Sequence, residues 1–370
     1  MKLTRQLKAW MNKSLWKGMI TMLFLLFIAF QKQIDRIGMR CQNQLPVQNI
    51  ERNIRREAIV SLYTGDTYLP AILVLGYTLN KYHVNNNRDM ILLIPKGSLN
   101  DDRHIAMIKT IGWKLMYVTR MSYPGKVNPQ LVDGLVKLHA WNMTQYDIIL
   151  TLDADAMIVG SIEEPFEQMR TNSTIQMLAV DDAGIPPDYR KELRSYFNSG
   201  VLFFRPNSTH FTELVHLSAN KSFYDLKYPQ QNLLNKYFHD HWVPLSPIFN
   251  MLDHLNGKHH VWNNQTNNSR IIHFAGSHKP WDMLHRLKPN QVDTDRMWRQ
   301  YFATLVTENG WRKDDFLVPL ASQPFRKKFR YDQWIRTDLQ PIQLSRPGPA
   351  RPLWNIRPNR IGRLPARKNL

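Results

Sequence analysis

The chain has 370 residues, one cysteine and a formal charge of +19, from 49 Lys and Arg against 30 Asp and Glu. A lone Cys41 excludes an intramolecular disulfide framework and leaves a free thiol or an intermolecular bridge. Nucleic-acid binding is excluded as the meaning of the charge, because the excess is terminal: residues 321–370 carry 12 Lys or Arg against 2 Asp, and the middle is only mildly basic.

Lys2, Arg5, Lys8, Lys13 and Lys17 precede the apolar run Gly18 to Phe30 with no acid among them. Thirteen residues span only about 20 Å as a helix, so crossing a bilayer needs Leu15, Trp16 and a snorkelling Lys17 as well. The run ends in Phe30-Gln31-Lys32-Gln33 rather than in small residues, which favours an uncleaved type II anchor over a cleaved signal peptide or a buried core helix. The expected division is a cytosolic basic tail at 1–17, a signal-anchor at 18–33, a stem at 34–57, one folded domain at 58–320 and a basic Pro/Arg-rich tail at 321–370. The positive-inside rule then places the domain in the lumen, anchored to a Golgi or ER membrane. Sequons at Asn142, Asn172, Asn207, Asn220, Asn264 and Asn267 agree with that placement without proving it.

Ala58 to Tyr63 reads as a strand, followed by a Gly65-Asp66 turn. Tyr68 to Tyr82 has apolar residues at helical spacings, with Pro70 acceptable in its first turn. Met90 to Ile94 is a second strand, Asp101 to Ile111 a helix, Lys114 to Val118 a third strand and Leu131 to Trp141 a further helix. This alternation predicts βαβ units and a largely parallel sheet, hence an α/β class. Gln176 to Val180 and Val201 to Phe204 continue it as strands. The His- and Asn-rich loops Phe238 to Trp242 and Gly257 to Asn268 interrupt the order, so this half is expected to be antiparallel or mixed.

Ile148 to Leu152 is a short buried-type strand that ends in Asp153 and Asp155. Ligands of open α/β sheets bind beyond the carboxyl ends of the strands, so this D-x-D pair faces whatever binds there. Two carboxylates suit a hard divalent cation and leave coordination positions for phosphates. A pair of solvated acids capping the next turn is the plainer alternative, since the tripeptide is common.

Four segments in order, SLYTGDTYLPAILVLGYTL, KLHAW before LDADAMIV, FNSGVLFFRP and IIHFAGSHKPW, resemble the glycogenin-type family 8 glycosyltransferases. The resemblance runs from about Ala58 to Trp281. It implies a GT-A fold, Rossmann-like with a mixed, mainly parallel central sheet, a UDP-sugar donor, and Mn²⁺ with Mg²⁺ as the other option. Transfer would retain anomeric configuration, onto a glycan or glycoprotein hydroxyl in the secretory pathway. Carried over residue by residue, Leu62, Thr64, Gly65 and Tyr68 line the uridine pocket, and Lys137 and Ala154 contact the donor. Asp153, Asp155 and His273 hold the metal, while Gly276 and Lys279 meet the diphosphate. Asn198, Ser199 and Gly200 form the sugar-contacting turn, Asp182 orients the sugar, and Gln231 sits near the anomeric carbon. Gln231, Asp182 and Lys279 are the expected catalytic set.

Two positions depart from the family pattern. Gln230 stands where glycogenin has an aspartate, which removes a carboxylate nucleophile there, and Asn128 stands where glycogenin has an arginine. A self-glucosylating protein and an inactive nucleotide-sugar-binding protein are the alternatives. A homodimer is allowed, and no nucleic-acid partner is expected.

Overall fold

The computed structural model describes residues 56–82, 88–189, 193, 195–239, 241–255, 268–281, 292–312 and 316. They belong to one compact unit, Arg55–Leu370. The basic tail, the expected anchor and stem up to residue 55, and residues 317–370 lie outside the described residues. Among the described residues no helix is long and apolar enough to cross a membrane.

The elements run β1 (Glu57–Leu62), α1 (Leu69–Tyr82), β2 (Arg88–Pro95), α2 (Asp102–Thr110), β3 (Lys114–Val118), β4 (Ile148–Leu152), β5 (Ala156–Ile158) and α3 (Glu163–Thr171). They continue with β6 (Met177–Asp181), β7 (Phe197–Phe204), α4 (Ser208–Ser218), α5 (Pro229–Tyr237), β8 (Val243–Pro244), β9 (Met251–Leu252), β10 (Ile271–His273) and α6 (Val292–Glu308). Local chemistry starts the helices: the Asp101 carboxylate accepts from Arg103 N at 2.9 Å before α2, and Pro229 opens α5. Asn207 caps α4 by accepting from Thr209 N at 2.8 Å, an ordinary structural use for one of the sequon asparagines.

Seven strands form the main sheet in the order β3-β2-β1-β4-β7-β6-β8. From β3 to β4 every pairing is parallel, β7 is antiparallel to both β4 and β6, and β8 is parallel to β6. The mixed, mainly parallel sheet is therefore as expected, including the antiparallel switch in the second half. Strand alternation divides the core into two layers. Ile59, Leu150 and Leu152 pack against α1, α2 and α6 on one face; Val60, Leu62 and Ile149 pack against residues 134–142, α4 and α5 on the other.

The helix expected at 131–141 is instead 3₁₀, with turns at Pro129–Leu131 and Gly134–Asn142. Leu135, Leu138 and Trp141 recur every three residues, and all are buried. That is the eclipsed period of a 3₁₀ helix, which puts one row of side chains on the sheet. Trp141 ends the row stacked on Phe204 with centroids 4.0 Å apart.

At the amino ends of β1 and β2, Arg88 bonds Glu57 at 2.6 Å and Glu163 at 2.8 Å, and Arg170 joins both acids. This network ties α3 to the sheet at the edge away from the strand carboxyl ends.

Candidate functional site

β4 ends at Leu152, and the chain makes one turn through Asp153 and Ala154 before β5. Asp153 N donates to Gly200 O at 2.8 Å, which fixes the turn against β7. β5 pairs antiparallel with β10 in a small sheet of order β5-β10-β9, in a register that puts His273 opposite Ala156. Phe274 N closes the pair on Asp155 O at 2.9 Å. Two segments 118 residues apart thus bring the downstream imidazole beside the D-x-D pair.

The carboxylates divide their oxygens. Asp153 Oδ1 takes Lys137 Nζ at 2.5 Å, and Asp155 Oδ2 takes Lys279 Nζ. The other two oxygens turn to His273 Nε2, Asp155 Oδ1 at 3.3 Å and Asp153 Oδ2 at 3.7 Å. One ligand atom from each of the three residues lies within 4.8 Å of the others. His273 Nδ1 meets Asn250 Oδ1 at 3.0 Å, so a ring donating there leaves Nε2 with its lone pair toward the carboxylates. Nitrogen and two carboxylate oxygens around one point, with the ring tautomer set from behind, fit a divalent ion. The Gly200 backbone closes this cradle: a Cβ there would strike the His273 ring and come within 2.9 Å of Asp153 Oδ2.

Burial pushes the Asp155 carboxyl up, but the charges of Lys279 and His273 outweigh it and hold that carboxyl well below the usual range. Each lysine also bonds a carbonyl, Lys137 to Ser199 O at 3.0 Å and Lys279 to Phe274 O at 2.6 Å.

These residues floor a cleft of about 620 Å³. Leu62, Thr64, Tyr68, Lys137, Asp153, Ala154, Asp155, Asp182, Asn198, Ser199, Gln231, His273, Gly276 and Lys279 all line it. Gly65 and Gly200 do not; Gly65 shapes the turn before Tyr68 with φ +106°, and Gly200 backs the ligands. The Gly65 turn is pinned by Asp66, which accepts from Tyr63 Oη and faces His104 Nδ1 at 3.2 Å. Tyr68 packs its ring edgewise on Trp281, and burial, then Asp155 and Asp153, push its phenol up.

On the opposite wall, a bulge between Ala179 and Asp181 re-aims the end of β6 into the cleft. Asp182 there accepts from Gly184 N at 2.9 Å, Asn198 Nδ2 at 3.1 Å and Gln231 Nε2 at 3.0 Å. Gln231 Oε1 in turn accepts from Ser199 N at 3.0 Å. Sequence reasoning did not find Asn250, which links His273 to Asn198 Oδ1 at 3.0 Å, nor Asn235, which bonds both Phe197 N and Phe197 O at 2.8 Å and sutures α5 to β7. Asn250 follows a single 3₁₀ turn and precedes a two-residue strand, so no periodic signal marks it.

Residues 125–285 match the family model described as glycosyl transferase family 8. Glycogenin-1 of Mus musculus is 27% identical over 252 residues, 65% of this chain and 69% of that one. The chain carries a family 8 glycosyltransferase domain and is similar to the glycogenins. The glycogenin of Komagataella phaffii is 26% identical over 260 residues, covering 64% of this chain and 59% of its own. A crystal structure of the galactosyltransferase LgtC with donor and acceptor sugar analogs covers 67% of this chain and 95% of its own. Its TM-score of 0.54 at 16% identity makes the likeness one of fold, the GT-A architecture.

The comparisons also correct one expectation. The expected Golgi or ER membrane placement is overturned by the similarity to the glycogenins of Mus musculus and Komagataella phaffii. That expectation rested on the apolar run 18–30, which a short hydrophobic length alone could not carry.

Proposed function

We propose that this family 8 enzyme moves a sugar from a UDP-sugar to a hydroxyl of a glycan or protein, with retention, at a divalent-metal site made by Asp153, Asp155 and His273. The observation that carries the reading is the convergence of their three ligand atoms within 4.8 Å on the floor of the cleft. A bound dication supplies Lewis acidity to the departing diphosphate, and Mn²⁺ suits the mixed nitrogen and oxygen set better than Mg²⁺.

The protein's own groups do the rest. Thr64, the Gly65 turn and Tyr68 take the base and ribose, with the Tyr68 ring held by Trp281. Lys137 and Lys279 each commit two donors to the protein, which leaves a third N–H on each ammonium for a phosphate oxygen. Negative charge that grows there as the bond breaks is stabilised more than in the ground state. Asp182, Asn198 and Gln231 hold one another and so present a fixed wall to the sugar.

A double displacement would need a carboxylate free to attack. Gln230 offers none, and Asp182 already accepts from three donors. The consistent route is same-face transfer: the C1–O bond to UDP breaks, C1 bonds the acceptor oxygen on that face, and the acceptor proton passes to the departing phosphate oxygen. Incubation with a panel of UDP-sugars and Mn²⁺ should release UDP, stop with EDTA and resume on adding the metal. No UDP release from any donor, or release indifferent to chelation, refutes the reading.

The similarity to glycogenins supports a second reading, in which the acceptor is the protein itself. Intact-mass increments of one hexose after incubation with UDP-glucose and no added acceptor would select it. UDP binding without any transfer would select a nucleotide-sugar-binding protein.

A further inference from the structure

One wall of the cleft carries a buried amide donor that no described residue engages. Gln230 is 8% exposed and lines the cleft. Its Oε1 accepts from Ser199 Oγ at 2.8 Å, which orients the amide, and its Nε2 has no partner among the described residues. A buried amide N–H₂ left unpaired costs roughly 1–3 kcal/mol, so such a group is kept for something it binds.

Its surroundings have the same character. A Cβ added at Gly134 would meet Tyr123 Oη at 2.8 Å and Gln230 Cβ at 3.4 Å, so these three residues form one contiguous corner. Burial pushes the Tyr123 phenol up, which keeps it an O–H donor. Lys227, exposed and also in the cleft lining, adds a cation at the rim. The acids that line the cleft are already engaged: Asp153 and Asp155 with the lysines and His273, and Asp182 with three donors.

A sugar hydroxyl can meet Gln230 Nε2 and Tyr123 Oη, but being neutral it gains nothing from the Lys227 charge. A carboxylate only accepts. We infer that this corner is a carboxylate subsite and that the donor is a UDP-uronic acid, its C6 carboxylate bound by Gln230 Nε2 and Tyr123 Oη with Lys227 at the rim. An aspartate at 230 would repel that group; the glutamine removes the repulsion and supplies a donor. The inference rests on the UDP-sugar reading and names the substrate class of the same site.

The test uses the full chain with Mn²⁺. Competition for bound UDP and turnover are measured with UDP-glucuronate and UDP-glucose, for the wild type, Gln230→Asp and Gln230→Met. The wild type should favour UDP-glucuronate by about 10-fold or more, the value of one buried hydrogen bond to a charged group. Gln230→Asp should reverse the order and Gln230→Met abolish it, each with UDP affinity within about two-fold of the wild type. If Gln230→Asp does not fold, Gln230→Met carries the comparison. A wild type that binds UDP yet favours UDP-glucose, or variants that keep the wild-type order, overturn the subsite and leave the UDP-sugar reading standing. A wild type that does not bind UDP with Mn²⁺ removes both.

Discussion

Gly200→Ala adds one methyl group behind the three ligand residues and changes none of them. The new Cβ would lie 2.7 Å from His273 Nδ1 and 2.9 Å from Asp153 Oδ2, with the ring carbon between the two nitrogens closer still, where ordinary contact begins at 3.4 Å. His273 has no room to yield, and Asp153, whose side chain is 35% exposed, can shift only by loosening its bond to Lys137. His273 is 3% exposed and tied to Asn250. The methyl must therefore push the imidazole, the carboxylate or β7 by roughly half an ångström or more, and a 1 Å misplacement of a reacting constellation costs about 10²-fold. Overpacking of this size destabilises by about 1–3 kcal/mol, enough to lower Tm by several degrees in a domain this large without unfolding it. The expected result is Mn²⁺ affinity down by about 10- to 100-fold in calorimetry and turnover down by about 10², with an unchanged circular dichroism spectrum. An alanine variant that binds Mn²⁺ and turns over like the wild type would refute the assignment of these three side chains to one ion.

Asp155→Asn should lower turnover by about 10²–10³ while the protein still folds, because the volume is kept and one anionic ligand is lost; near-normal turnover contradicts the metal site. Asn250→Leu removes the acceptor that sets the His273 tautomer, so Mn²⁺ affinity should fall by about 10- to 100-fold with Asp153 and Asp155 intact, and an unchanged affinity measured by electron paramagnetic resonance would show that the ring needs no such partner. Titrations of Mn²⁺ with and without UDP, and of UDP with and without Mn²⁺, should show each raising the affinity of the other by the same factor; independent binding would sink the shared site. Glu163 is the pH prediction. Burial pushes its carboxyl up, but hydrogen bonds from Arg88 and Arg170 prevail and bring it down to about 2. A depressed folded value means stability that is present above the ordinary carboxylate range near 4.5 and is lost as pH falls toward 2. Glu163→Gln should flatten the acid limb of the Tm profile between about pH 5 and pH 2, and a profile parallel to the wild type would discard that role.

The parallel half of the fold was legible because β1, β2 and β4 are continuous apolar runs closed by turn residues, and α1 keeps helical spacing for fourteen residues. Segment 134–142 was misread because Leu135, Leu138 and Trp141 satisfy an i, i+3 pattern that α and 3₁₀ helices share over so short a span. α6 lies outside every element read from the sequence, although Trp298, Phe302 and Leu305 follow helical spacing and all are buried. In the site, the D-x-D pair stood out because its acids end a buried strand. His273 could be joined to it only through resemblance, since the contact depends on the β5–β10 register, and strands of three residues carry too little pattern to reveal pairing.

The lysines show what spacing could not convey. As sequence, Lys137 and Lys279 are positive charges to be matched with a phosphate. In the fold each first holds the outer oxygen of one aspartate, and this is why the inner oxygens converge on His273. Two carboxylates and two ammonium groups sum to zero formal charge. A dication alone leaves two positive charges uncompensated in a half-closed cleft, and a diphosphate alone meets two aspartates at close range. Each offsets the charge the other leaves, so the coupling expected between Mn²⁺ and UDP follows from the way four side chains share their oxygens and hydrogens, and no movement between separate sites is needed.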